Sequence, residues 1–458
     1  MVTSRYDIAV LGAGPAGLAA AAAAHQAGKH TVLIDGNPRV GGQYWRHRPG
    51  DQGAGHHDWA ELRRLLAIVS GADVVTGQQV WHVERTEDGF TLHGPDLRCR
   101  TLIVATGGYD RQLPFPGWTL PGVVTAGGAQ ALLKGQNVLV GKEIVVAGTG
   151  PFLLPVAAGL AEAGARVVGV YEAGEPRGFA RRPAALLANP AKLVEGAGYL
   201  RTFARHRIPY HTNRTVVAAQ GKNRVESVTV AELDRHWRAR PDTERTLNCD
   251  AIAVGYGFTP QLEIPLQLGC AARLDADGSL VATADGQQRA SVPGVYLAGE
   301  VCGIGGADLS LVEGELAGLH AADALADRPR LARLLRRRRT LRAFAAAMHA
   351  TYPVKPGWLT WSEPETLLCR CEEITLRTAR KAVHDLGASD ARGVKLLARP
   401  GMGLCQGRVC GYATACLVAH ERGRSVTATD LQGMSARPIA APITLGQLTQ
   451  LGQPSKED

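Results

Sequence analysis

Aromatic residues are scarce in this chain: seven Phe, seven Trp and ten Tyr in 458 residues. None falls in its one strongly basic run, Arg328 to Arg342, which carries eight arginines and no acid. Without stacking platforms beside the cations, nucleic acid is a poor fit. That run supplies most of the net charge of +9, so the rest of the chain is close to neutral. It reads as a solvated helix face, ahead of an acidic docking surface. An unbroken apolar span is also missing. Ile8 to Ala24 and Ile144 to Ala161 are uncharged, but Gly and Pro interrupt both where a strand would turn into a helix. They read as buried βα units, not as a signal or a membrane span, so a cytoplasmic protein without a targeting segment is expected. Nine cysteines, an odd number with four in two tight pairs near the C-terminus, exclude a secreted disulfide frame.

Glycine is abundant instead: 55 residues, where an average chain of this length carries roughly 32. Tyr6 to Leu11 reads as a strand, followed at once by Gly12-Ala13-Gly14-Pro15-Ala16-Gly17 and an alanine-rich helix. Thr31 to Ile34 is the next strand, with Asp35 at its end. The first glycine permits the turn and the second lets backbone approach a pyrophosphate. The third lets helix and strand pack closely, and the acid can accept from a ribose.

Gly41-Gly42-Gln43 occupies the next turn, and Thr106-Gly107 follows the strand Leu102 to Ala105. Gly294 to Gly299, ending in Glu300, resembles the second flavin motif of two-dinucleotide-binding-domain flavoproteins, where Asp is usual; the extra methylene suggests a water-mediated contact. With Val80, these positions form the candidate FAD-binding set. A second βαβ repeats the layout at Glu143 to Glu172, with Gly148-Thr149-Gly150-Pro151-Phe152-Leu153. Gly148, Gly150 and Glu172 are its candidate nucleotide contacts, for NAD(P) or ATP. Leu153 replaces the third glycine and is expected to push the helix off the strand, so a relic retained for packing is the alternative. No Cys-x-x-Cys lies between the two turns, which argues against a disulfide reductase.

Cys369 and Cys371 form a C-x-C pair, and Cys405 and Cys410 a C-x4-C pair. Four thiolates so arranged can hold a [2Fe–2S] cluster or zinc. A flavin neighbour favours iron–sulfur, because zinc carries no electrons. The glycines at 401, 403, 407 and 411 let backbone N–H groups face sulfur. Thr375 reads as the N-cap of a helix over Leu376 to Leu386, and Tyr412 to His420 as another; Cys416 falls on the latter and reads as core. His47, His56 and His57 lack metal spacing and read as loop residues, and Cys302 as a small buried residue.

With these motifs, and with Pro114-Phe115-Pro116-Gly117-Trp118, Gly255-Tyr256-Gly257-Phe258 and Gly401 to Cys410, the chain resembles the FAD- and [2Fe–2S]-containing subunit of heteromeric amine dehydrogenases. That family includes opine oxidases, dye-linked L-proline and D-hydroxyproline dehydrogenases and hydrogen cyanide synthase. The last segment resembles a bacterioferritin-associated-ferredoxin-type domain. The resemblance implies a D-amino-acid-oxidase-like partner subunit with its own flavin and the substrate pocket. It further implies FMN at the interface and a small third ferredoxin-like subunit, with membrane contact only through an electron acceptor at the inner face.

The expected fold is α/β, glutathione-reductase-like, with a small helical C-terminal domain. Residues 1–115 and 260–325 are assigned to the FAD domain and 116–259 to an inserted NAD(P)-binding-like domain. Residues 326–365 are read as a basic helical linker and 366–458 as the [2Fe–2S] domain and tail. The expected function is an electron relay within an amine or imino-acid dehydrogenase. The alternatives are a self-contained NAD(P)H-dependent FAD/[2Fe–2S] oxidoreductase and a zinc-bearing scaffold. No catalytic base can be singled out among 14 His and 10 Tyr.

Overall fold

The computed structural model describes residues 5–53 and 55–449. The chain opens with β1 (Arg5–Leu11), α1 (Pro15–Gln26), β2 (Thr31–Asp35), α2 (Trp59–Val69) and β3 (Asp73–Thr76). A hairpin, β4 (His82–Thr86) and β5 (Gly89–His93), leads to the long β6 (Leu97–Val104). β1 runs parallel between β2 and β6, and its apolar residues are buried on both faces, as a central parallel strand requires. β6 changes partner midway along the edge facing away from β1. Its first half pairs antiparallel with β5, and its second half is parallel to a later strand at Val295–Leu297.

β7 (Gly108–Asp110) leaves this unit. The inserted unit holds β8 (Val123–Thr125), α3 (Ala126–Gln136), β9 (Glu143–Gly148), α4 (Leu153–Glu162), β10 (Arg166–Glu172), α5 (Pro183–Leu187), α6 (Pro190–His206) and β11 (Tyr210–Thr212). An antiparallel sheet of β12 (Arg214–Gln220), β13 (Ser227–Glu232) and β14 (Arg245–Asn248) follows, then β15 (Ala251–Gly255). The parallel order is β11-β10-β9-β15-β8. β16 (Phe258–Pro260) pairs antiparallel with β7, so the outgoing and returning chains form one two-stranded ribbon between the units.

Back in the first unit lie α7 (Glu263–Gln267), the hairpin β17 (Ala272–Leu274) and β18 (Leu280–Ala282), β19 (Val295–Leu297) and α8 (Ala307–Ala321). α8 packs against the alanine-rich α1. A Cβ on Gly314 would sit 2.0 Å from the Ala16 carbonyl oxygen, so only small residues permit this crossing.

α9 (Arg328–Thr351) is the expected basic helix, but its solvated-face reading needs correction. Arg330, Arg337 and Arg342 pair with Glu315, Asp308 and Glu313 of α8, and Arg338 donates to Gln288 and the Gly286 carbonyl. The acids it meets belong to its own chain, whereas Arg333, Arg336 and Arg339 face solvent. Among the described residues no helix is long and apolar enough to cross a membrane.

The C-terminal part has a short β20 (Leu367–Cys369) and β21 (Ile374–Thr375), then α10 (Leu376–His384), α11 (Ala391–Ala398), α12 (Gly411–Glu421) and α13 (Ala428–Ser435). Thr375 caps α10 through the Thr378 N–H. These helices are not an independent bead. Leu376, Val383 and Leu417 share a core with Trp118, Trp237 and Tyr256 of the inserted unit, and Leu431 and Met434 share one with the first unit. Trp118 donates to the Leu367 carbonyl and Trp361 to that of Trp237, each at 2.7 Å.

Candidate functional site

In the first turn, α1 starts at Pro15 with no side-chain cap, leaving its first N–H groups available to an anion. A Cβ on Gly17 would lie 1.6 Å from the Gly12 carbonyl oxygen, so the turn closes only on glycine. Asp35 accepts from the Ala13 N–H at 2.6 Å and from the Asn37 backbone and side chain. The Gly41 N–H donates to the Ala13 carbonyl at 2.7 Å, and Gly42 lies against Gly14, so the two glycine turns are stacked. Gln43 is exposed beside them, and Val80 is buried near the end of β2. Thr106 donates to the Gln261 carbonyl at 2.8 Å, and the Gln261 N–H donates to the Gly107 carbonyl. Nothing lies within 4 Å of a Cβ built on Gly107. A free helix N-terminus, stacked glycine turns and open space at Gly107 fit an FAD nucleotide.

Glu300 follows Gly299 at the end of the later glycine motif. Its longer side chain folds back to accept from the Gly305 and Gly306 N–H groups at 3.2 and 2.9 Å. Burial pushes its carboxyl up to about 7. The preceding Gly299 donates its N–H to Glu313, which Arg342 holds. Neither Glu313 nor Arg342 stands out in the sequence, because no local spacing ties them to Gly299.

The second turn has the same plan with a different entry. α4 begins at Leu153, three residues after Gly150, whereas α1 begins one residue after Gly14. Leu153 does not wedge the helix away, contrary to expectation. It is 1% exposed, and Gly255 on β15 supplies its space, since a Cβ there would meet Leu153 Cδ2 at 3.1 Å. Glu172 is fully buried and accepts from the Thr149 hydroxyl, the Gly150 N–H and the Gly174 N–H. Burial pushes it up to about 7. Tyr352, just past α9, packs over Gly174. Glu172 thus presents no surface to a ribose, while Gly150 stays open, with nothing within 4 Å of a built Cβ.

The four cysteines meet as two pairs. The Cys369 thiol interacts with that of Cys410, and the Cys371 thiol with that of Cys405. The first pair is 1% and 2% exposed; Cys371 is open to solvent and Cys405 partly so. The Cys410 thiol, assisted by the N–H groups of Gly401, Glu372 and Cys371, holds Cys369 down to about 5. That environment favours a thiolate, the form that binds metal. A Cβ on Gly403 would lie 2.4 Å from that of Cys371, so glycine lets the loops meet. Cys416 stands apart, hydrogen-bonded to Tyr412, and Cys302 is buried beside Glu313 and Arg342. His56 pairs with Asp51 and His47 with the Trp45 carbonyl, so the loop histidines serve local structure. Asp275, Asp277 and His349 also converge, but Arg273 and Arg111 already pair with the two acids.

A family model described as pyridine nucleotide-disulphide oxidoreductase matches residues 6–332. An opine oxidase subunit of Rhizobium meliloti (strain 1021) is 34% identical, covering 98% of this chain and 100% of that protein. Hydrogen cyanide synthase subunit HcnB of Pseudomonas aeruginosa is 33% identical, covering 88% and 91%. The crystal structure of L-proline dehydrogenase from P. horikoshii superimposes with a TM-score of 0.67 at 20% identity, covering 97% of this chain and 79% of that one, a likeness of fold. On the glycine turns and on these relatives, the chain belongs to the pyridine nucleotide-disulphide oxidoreductase family and is an FAD-dependent oxidoreductase.

Proposed function

We propose that this chain is the electron-transferring subunit of a heteromeric dehydrogenase that oxidises a carbon–nitrogen bond of an amine or imino acid. Two relatives that match 88% and 98% of this chain are each named as one subunit of an oxidase or synthase. The substrate pocket is then assigned to a flavoprotein partner of the D-amino-acid-oxidase type, with FMN at their interface and a quinone or small ferredoxin-like acceptor.

The observation that carries the reading is the paired sulfurs. A tetrahedral zinc with bonds of about 2.3 Å brings all four sulfurs to about 3.8 Å from one another. Among the described residues, no three of these sulfurs lie within 4.8 Å of one another. Two separated pairs suit a [2Fe–2S] centre, in which each iron takes two cysteines. Cys369 and Cys410 would hold the inner iron, Cys371 and Cys405 the outer one. Bound FAD exchanges two electrons and a cluster one, so the pair links two-electron chemistry to single-electron transfer. In this chain the first glycine turn binds the flavin nucleotide, and the C-terminal helices shield one iron site and expose the other.

The test is anaerobic reconstitution of the purified chain with iron and sulfide. The expected result is bound FAD with about two irons and two sulfides per flavin, as a [2Fe–2S] centre requires, a reduced-cluster paramagnetic signal, and negligible amine oxidation without the partner. Zinc without iron, or full amine turnover by the isolated chain, overturns the reading. The openness of Gly150 favours a retained nucleotide at the second turn. Flavin bleaching by NAD(P)H would make that nucleotide a reductant and the chain self-contained.

A further inference from the structure

Tyr109 and Arg111 lie two residues apart along β7 and its continuation, so they share a face. Both point at the C-terminal helices. Arg408, between Cys405 and Cys410, donates from Nε to the Tyr109 hydroxyl at 2.8 Å and contacts Glu263 Oε1 at 2.8 Å. Tyr109 donates to the same carboxylate oxygen at 3.2 Å, and Arg437 reaches it at 3.1 Å. Arg437 also donates to the Gln406 carbonyl, and Arg408 to the Cys405 carbonyl at 3.3 Å. Glu263 is buried, with a side chain 7% exposed. Further along, the Arg111 guanidinium lies 4.5 Å from the centroid of the Tyr412 ring, two residues after Cys410. Arg111 also donates to the Phe258 carbonyl on β16 and pairs with Asp277.

The cysteine loop is therefore fastened to the two-stranded ribbon at two points. One end of that ribbon is continuous with Thr106 and Gly107 of the FAD turn, which Gln261, two residues before Glu263, also holds. Two linkers joining two units form a natural hinge, and a charge-assisted knot on it removes that freedom.

We propose that Arg408 is a positioning residue: through Tyr109 and Glu263 it fixes the separation between the cysteine quartet and the FAD turn, and so sets the rate of electron transfer between them. This rests on the reading that the quartet holds a cluster. Each transfer moves one electron from the reduced flavin to the oxidised cluster, with the flavin proton released to solvent.

The experiment loads wild type, Arg408→Gln, Arg408→Lys and Tyr109→Phe with FAD, iron and sulfide under anaerobic conditions. After FAD and iron content are matched, a light flash in the presence of EDTA as sacrificial electron donor photoreduces the flavin, and the bleaching of the cluster is timed. Arg437 stays on Glu263 in every variant, so the buried carboxylate keeps a cation. Arg408→Gln is expected to slow the transfer by on the order of tenfold, through a small misplacement of one centre relative to the other. Arg408→Lys is expected to restore part of it, and Tyr109→Phe to slow it by about threefold with the ring still packed. A merely structural Arg408 would lower loading and leave the rate of loaded molecules unchanged. Should Arg408→Gln fail to load, Tyr109→Phe decides. Wild-type rates in every loaded variant overturn this inference alone. A wild-type chain that assembles no cluster overturns the underlying reading and this inference with it.

Discussion

Arg342 on α9 holds the Glu313 carboxylate through two N–H···O contacts, each 2.8 Å, while Glu313 accepts the Gly299 N–H at 3.2 Å. A cation from the basic helix thus steadies the turn that precedes Glu300. The Glu313 side chain is 2% exposed, so the charge cannot be left alone. Arg342→Ala is expected to cost about 3–5 kcal/mol, the usual penalty for an orphaned buried charge. It should also lower the FAD-to-protein ratio, read from flavin absorbance after gel filtration. Arg336→Ala, on the solvent side of the same helix, should change neither.

Gly17→Ala places a methyl group against the Gly12 carbonyl, where no room exists. Overpacking of this kind costs about 1–3 kcal/mol. The expected outcome is a folded chain, seen by circular dichroism, that purifies largely without flavin. Full flavin occupancy in this variant would remove the first turn from the cofactor site.

Glu172 gives a pH dependence with a defined sign. Its folded value, about 7, lies above the ordinary carboxylate value because burial disfavours the charge. The folded state then holds a proton that the unfolded chain has already released. The stability from this group is complete below about pH 4.5 and declines as pH rises through about 7, by on the order of 3 kcal/mol in all. Glu172→Gln should flatten that share of the slope. Unfolding midpoints of the two proteins between pH 4.5 and 8 check this, and parallel curves would refute it.

Cys369→Ser and Cys371→Ser are each expected to abolish the visible absorption of a reconstituted centre and its iron content. Cys416→Ser should leave both intact, since that thiol faces Tyr412 and not the quartet. Stripping the iron with a chelator under reducing conditions should bleach wild type and Cys416→Ser alike. FAD should stay bound throughout, because the glycine turns lie in the other unit. Retained iron in Cys369→Ser would move the centre elsewhere.

The first βαβ unit and the candidate cysteines are legible in the sequence because their spacing is local, whereas the pairing of Cys369 with Cys410 and of Cys371 with Cys405 crosses from one motif to the other. Gly12, Gly14, Gly17 and Asp35 fall within one strand–helix–strand, and Gly12 and Gly17 mark contacts that leave no room for a Cβ. Leu153 misleads, because its effect depends on Gly255, a hundred residues later, giving way. Glu300 is visible in the sequence as the acid after Gly299, but its carboxylate is held by the Gly305 and Gly306 N–H groups, a loop geometry that residue types do not encode. The basic run is visible as charge, yet the acids it meets on α8 carry no mark in the sequence. Tyr109, Glu263 and Arg408 are invisible as a group, since 299 positions separate the first and last and no period links them.

Of the four quartet thiols only Cys371 lies fully open to solvent, with the exposed side chains of Met402 and Leu404 in the neighbouring loop. Oxygen and stray thiols therefore reach the assembly from one side. Ageing of a stored sample should start at that corner, as a mixed disulfide on Cys371 or a sulfoxide on Met402, while Cys369 and Cys410 remain chemically fresh.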